Sequence, residues 1–214
     1  MKKILPVAIA SLALSAVAAD FSPSIGVSCI DMSSKNNLIP VQFTSLGEDG
    51  NISAGALVCT NNIPAGSHLY VYNTNGTYKA WLLEPSGWSP LSVEGTADGI
   101  SYSGFSGDSD EQKLATGTAI WLSFPEKPSS GSPITIAVYG KVATSSTNTT
   151  IVAGTKANPV STLVCNMTGT TKSVNSLLEN VTCKTGDQIK LITDTYQGEY
   201  SYSENKETWK LFNN

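Results

Sequence analysis

The chain has 214 residues, of which 14% are charged; the 13 basic residues are all Lys, Arg is absent, and the net charge is −4. Without guanidinium forks for phosphate or guanine edges, and with a negative balance, this composition argues against a nucleic-acid partner. Eighteen glycines and ten prolines argue for frequent turns rather than long helices.

The first nineteen residues have the layout of a bacterial secretory signal peptide. Lys2 and Lys3 give a positive start, residues 4–17 are apolar, and Val17-Ala18-Ala19 closes the segment with small side chains. The apolar stretch is short for a bilayer span and no stop-transfer pattern follows it. Cleavage is expected after Ala19 or Ala18, giving a mature chain without a transmembrane segment. No Cys stands at the cut, which argues against a lipid anchor. The expected location is secreted, periplasmic or at the outer cell surface, away from nucleotide cofactors, so no cofactor is expected. About 195 residues remain, enough to bury roughly 70% of the unfolded surface.

Downstream, short β-branched and aromatic runs alternate with Gly, Pro, Asn and Ser clusters. Strands are expected over residues 38–43, 56–59, 67–72, 78–83, 119–124 and 134–143, then 151–153, 162–165, 188–193, 199–203 and 208–212. Two short helices are expected. One follows the capping-box pattern Ser109-Asp110-Glu111-Gln112 before Lys113-Leu114-Ala115, and the other lies within 173–180. This spacing predicts an all-β fold of two related antiparallel units, as a sandwich or barrel with few short helices.

Cys29, Cys59, Cys165 and Cys183 are bound for an oxidising compartment, so two disulfides are expected. Of three connectivities, Cys29–Cys59 with Cys165–Cys183 would staple each half of the chain. A zinc site is disfavoured because no Cys pair is close-spaced and the single His is His68.

The chain also echoes itself. Gly66-Ser67-His68-Leu69-Tyr70-Val71-Tyr72 is matched, about 120 positions on, by Gly186-Asp187-Gln188-Ile189-Lys190-Leu191-Ile192. Gly76-Thr77-Tyr78 answers Gly198-Glu199-Tyr200, Trp88 answers Trp209, and Ser34-Lys35-Asn36-Asn37 answers Thr155-Lys156-Ala157-Asn158. These matches predict a duplicated unit of about 60 residues. The first unit with its connecting strands would occupy 20–143 and the second 144–214, unless they form one continuous domain. In extended strands Leu69 and Val71 share one face, as do Ile189 and Leu191, and those faces should point inward.

The segment from Gly186 with its apolar alternation, Tyr-rich return strand and Trp resembles a group of uncharacterised, duplicated secreted proteins of Verrucomicrobia-type bacteria. Gly117-Thr118-Ala119-Ile120-Trp121-Leu122, Gly140-Lys141-Val142 and Val152-Ala153-Gly154 are similar to the stretch that links their units. His68 and Ser67 depart from that group's pattern. The resemblance implies architecture and location and adds no catalytic residue.

Enzyme chemistry finds few footholds. A Ser–His–acid triad would have to use His68, and no G-x-S-x-G elbow exists. Gly107-Asp108-Ser109 is similar to the GDS of a lipase-like family, but it follows a Gly/Ser-rich loop and reads as a turn. Glu48, Asp49, Glu84, Glu94, Asp98, Asp108, Asp110, Glu111 and Asp187 are candidate glycosidase acids, mostly in turn contexts. Asp108-Ser109-Asp110-Glu111 offers alternating oxygen ligands for calcium but lacks the EF-hand glycine and closing Glu, so no metal residue is assigned. Five Asn-x-Ser/Thr triplets reflect Ser/Thr/Asn richness. Apolar-out bands of an outer-membrane barrel are not evident.

Aromatic residues carry the remaining signal. Tyr70, Tyr72, Tyr78, Trp81 and Trp88 cluster, and flat rings on one sheet face can stack on sugars or simply pack. His68, Tyr70 and Tyr72 are the candidate ligand residues, because they share the face opposite Leu69 and Val71. Trp81, Trp121 and Trp209 are expected in the core. The sequence therefore points to a secreted, non-enzymatic β-protein acting as a structural or adhesive component, with a glycan or another surface protein as partner. A carbohydrate-binding module using the aromatic face is the alternative, and a glycoside hydrolase the less favoured one.

Overall fold

Alternating side chains and glycine-punctuated turns produce strands almost everywhere in this chain. The computed structural model describes residues 25–47, 50–58, 62–73, 77–142, 155, 173–192, 197–203, 205 and 208–211. In chain order the elements are β1 (Ile25–Met32), β2 (Asn36–Pro40), β3 (Phe43–Thr44), β4 (Ile52–Ser53), α1 (Ala54–Leu57), β5 (His68–Tyr72), β6 (Tyr78–Glu84) and β7 (Gly87–Pro90). They continue with β8 (Gly95–Ala97), β9 (Ile100–Tyr102), β10 (Lys113–Leu114), β11 (Ala119–Ser123), β12 (Ile134–Val142), α2 (Val174–Leu177), β13 (Gln188–Ile192), β14 (Gln197–Ser203) and β15 (Thr208–Leu211). The fold is all-β, with antiparallel sheets, one of them curled into a half-barrel, and two single-turn helices among the described residues.

The largest sheet runs β2-β11-β5-β6-β9-β8, with β7 also paired to β6. All its pairings are antiparallel except the brief parallel contact of β6 with β9 at Tyr78 and Tyr102. A second sheet, β1-β12-β3, supplies the opposing layer, and the short pair β10-β4 adjoins α1. Ile39, Leu69, Val71, Trp81, Leu83, Ile120 and Leu122 of the large sheet meet Met32, Ile136 and Val138 of the small one in a single core. Leu57 of α1 and Leu114 of β10 complete it. Gly26 and Gly140 face each other across β1 and β12 where β3 passes: a Cβ at Gly26 would collide with the Phe43 ring, and one at Gly140 with the Thr44 carbonyl.

Several expectations are corrected. Residues 56–59 do not begin a strand; Ser53 accepts a hydrogen bond from the Ala56 amide at 3.2 Å and starts α1 instead. Residues 38–43 split after Pro40, because Val41 turns to bond with Thr118 and Gly117, and Phe43 joins the other sheet. The expected helix at 109–115 is a turn followed by β10. There the Asp108 carboxylate, rather than Ser109, accepts from the Asp110 amide at 2.9 Å. Strands β1, β4, β7, β8 and β9 lie outside the expected strands; the last four are two to four residues long, whereas β1 has eight. The expected strands at 151–153 and 162–165 lie outside the described residues. So do Cys59 and Cys165, the partners expected for Cys29 and Cys183, which are free cysteines among the described residues.

The sheet β13-β14-β15 is a separate antiparallel meander whose backbone scheme matches β5-β6-β7. Each is preceded by a serine-capped single-turn helix, through Ser53 in one case and Ser173 in the other. Each opens on a glycine at positive φ, Gly66 at 85° and Gly186 at 102°. The Gly66 and Gly186 amides donate to the Leu83 and Tyr202 carbonyls, and the Leu83 and Tyr202 amides donate back to the Ser67 and Asp187 carbonyls. The register also refines the sequence match. Trp88 faces Leu83 and Trp209 faces Tyr202. Ile189 pairs with Tyr200 as Leu69 pairs with Trp81, so Tyr200 corresponds to Trp81 and not to Tyr78. A hairpin connection one residue shorter causes the shift.

Candidate functional site

The three candidate residues lie on β5, in the middle of the large sheet, where cross-strand pairing brings Ser123 opposite His68 and Trp121 opposite Tyr70. Leu69 and Val71 enter the core, and His68, Tyr70 and Tyr72 take the other face. That face is not an open platform. Tyr70 is fully buried, because the β8–β9 hairpin folds over it.

The hairpin is specified by Ala97-Asp98-Gly99-Ile100. Asp98 and Gly99 both have positive φ, at 55° and 78°, as a two-residue type I′ turn requires. This turn delivers the Asp98 carboxylate to the face. His68 Nδ1 lies 2.9 Å from Oδ2, the Tyr70 hydroxyl donates to the same oxygen at 3.2 Å, and Lys35 Nζ lies 3.0 Å from Oδ1. The Tyr70 hydroxyl also meets the Ala97 carbonyl at 3.1 Å. Burial alone would raise the Asp98 pKa, but the hydrogen bond and charge of Lys35, with the charge of His68, outweigh it and hold the carboxyl below its usual range. Burial, then the adjacent Asp98 charge, pushes the Tyr70 phenol far above its ordinary value. Ser123 is fully buried and donates to Asn36 Oδ1 at 2.7 Å. His68, Tyr70 and Lys35 therefore converge on the Asp98 carboxylate, the shared acceptor of a latch holding the hairpin against β5. Beside it, Tyr72 and Tyr78 pack edge to face with ring centres 5.3 Å apart. Burial raises the Tyr78 pKa, against a lowering hydrogen bond from Trp121.

A second locus is a cleft of about 430 Å³ beside α1. The loop before β10 is strapped onto α1, with the Gly55 amide donating to the Ser109 carbonyl at 3.1 Å and the Ala54 amide to the Gln112 carbonyl at 2.8 Å. The strap seats Asp110 directly against Gly55, where a Cβ would collide with its carboxylate. Asp108, Ser109 and Asp110 form one wall, Ser86 of the β6–β7 turn and Trp88 of β7 another, and Tyr139 of β12 a third. Trp88 Nε1 is the one buried side-chain polar atom without a hydrogen-bond partner among the described residues.

The structure thus joins Asp98 and Lys35 to the expected His68 and Tyr70, and places Tyr139 with Trp88, Asp108 and Asp110. The Asp-Gly turn signal was legible in the sequence, and its reach across the sheet was not. Tyr139 had no local signal at all. Among the described residues no group of three or more His, Cys, Asp or Glu side chains could hold a metal ion, and no helix is long and apolar enough to cross a membrane. Comparison with protein-family models, with curated proteins and with solved structures finds no match for this chain.

Proposed function

We propose that this is a non-enzymatic, extracytoplasmic structural or adhesive component, built from a duplicated β unit, that works through association of its copies. The observation that carries this reading is the outer face of the β1–β12 ribbon. Ile25, Val27 and Tyr139 are 62, 65 and 49% exposed, and Val27 sits opposite Tyr139 in the register. Apolar side chains gathered in this way mark an interaction surface more often than single exposed ones do. Strand β1 is also the end strand of its sheet among the described residues, so alternate residues along its eight turn unmatched backbone groups to the outer edge. A second copy of β1, laid antiparallel about a two-fold axis, would satisfy that edge and continue the apolar face without any other partner.

Sedimentation velocity on the mature protein tests the reading. Association dependent on concentration is expected, and Ile25→Asp or Val27→Asp should shift the population to monomer while leaving the fold intact. A wild-type protein that stays monomeric and is released freely from cells would overturn it.

A further inference from the structure

We infer that the cleft beside α1 is a binding site for a neutral saccharide. The cleft shares Tyr139 with the proposed association face, but the inference does not depend on that reading. Three properties of the walls converge on this ligand class. First, Trp88 and Tyr139 offer aromatic surface, which complements the apolar C–H face of a pyranose ring. Second, the polar groups are of both kinds. Asp108 and Asp110 accept hydrogen bonds, while the Ser86 hydroxyl donates them. A sugar hydroxyl both donates and accepts, so one ligand can serve both sets. A quaternary ammonium group offers no acceptor to the serine, and an anion would face two carboxylates with no Lys or His in the lining. Third, the volume falls in the range of small-molecule clefts, and the walls are pre-set by backbone bonds: the strap from α1 holds Asp110, and Asp108 is fixed by the Asp110 amide.

The site differs from the aromatic face of β5. There the buried Tyr70 hydroxyl and the Asp98 carboxylate are bonded to one another, whereas at the cleft Ser86, Asp108 and Asp110 are exposed.

Isothermal titration calorimetry on the mature protein tests the inference, with cellotetraose, chitotetraose and mannotetraose as neutral probes and choline as the cationic one. Binding of at least one tetrasaccharide and none of choline is expected. Trp88→Ala and Asp110→Asn should each weaken the affinity tenfold or more. Asp110 is exposed, so its conservative variant keeps the fold even if Trp88→Ala disturbs packing. Ile25→Asp, at the proposed association face and outside the cleft lining, should not weaken saccharide affinity, so the two proposals fail separately. Absence of binding by all three tetrasaccharides, binding of choline at the cleft, or affinity indifferent to Asp110→Asn in a folded protein would each overturn the inference.

Discussion

In the meander β5-β6-β7 the middle residue of the first strand, Tyr70, lies fully buried beneath a hairpin and bonds to Asp98; in β13-β14-β15 the corresponding residue is Lys190, which is exposed. The same contrast recurs on the second strand, where Trp81 is fully buried and Tyr200 is half-buried. Yet the closing hydrogen bonds, the glycine at positive φ and the serine-capped turn before each meander are alike. The backbone scheme is thus set locally, by a few residues that demand a particular conformation. Burial is conferred by neighbours: β11 flanks β5, and the β8–β9 hairpin covers Tyr70, while β13 pairs only with β14 among the described residues.

Substitutions at matched positions would break or sharpen this contrast. The largest difference is expected at the second strand. Trp81→Ala should cost about 3–5 kcal/mol, since a fully buried ring and its bond to the Gly107 carbonyl are lost, whereas Tyr200→Ala should cost about 1 kcal/mol. Equal losses in urea unfolding would mean that the two meanders are equally well packed.

Next comes the latch, which one meander has and the other lacks. Asp98→Asn should destabilise by roughly 1–3 kcal/mol, because hydrogen bonds to a charged acceptor are weakened together. The pH dependence has a definite sign. A carboxyl held below its unfolded value adds stability above that value, and the contribution is lost as pH falls through the folded one. Wild type should therefore lose more stability than Asp98→Asn on acidification below about pH 4. Parallel acid titrations of the two proteins would contradict the latch.

The smallest difference is expected at the shared glycines. Gly66→Ala and Gly186→Ala should each cost about 1 kcal/mol, because both demand positive φ. A cost at one position only, read by hydrogen exchange local to each meander, would show that the two turns are not held alike.

Much of this architecture was legible from residue patterns. β5, β6, β11 and β12 announce themselves through β-branched and aromatic runs, and Ser173 marks α2. What escaped was whatever depends on distant partners. Phe43 joins a different sheet from Leu38 because Gly26 and Gly140 leave room for it, and neither glycine is near it in sequence. Strand β1 is clear only once β12 pairs with it. At the candidate sites, face-sharing by His68, Tyr70 and Tyr72 followed from period two alone. Their covering by a hairpin thirty residues away could not.

The Asp98-Gly99 turn also bears on how this protein ages. In a flexible chain, an aspartate followed by glycine is prone to cyclise: the glycine amide nitrogen attacks the side-chain carboxyl, water leaves, and the succinimide reopens to an isoaspartyl linkage. Here Lys35, His68 and Tyr70 hold the carboxylate ionised and turned away across the sheet. Attack requires a protonated, mobile carboxyl, so the contacts that fix the hairpin also guard its most fragile bond. Once the hairpin opens, that protection goes, and an isoaspartate formed there would lengthen the backbone by one carbon and keep the turn from closing again.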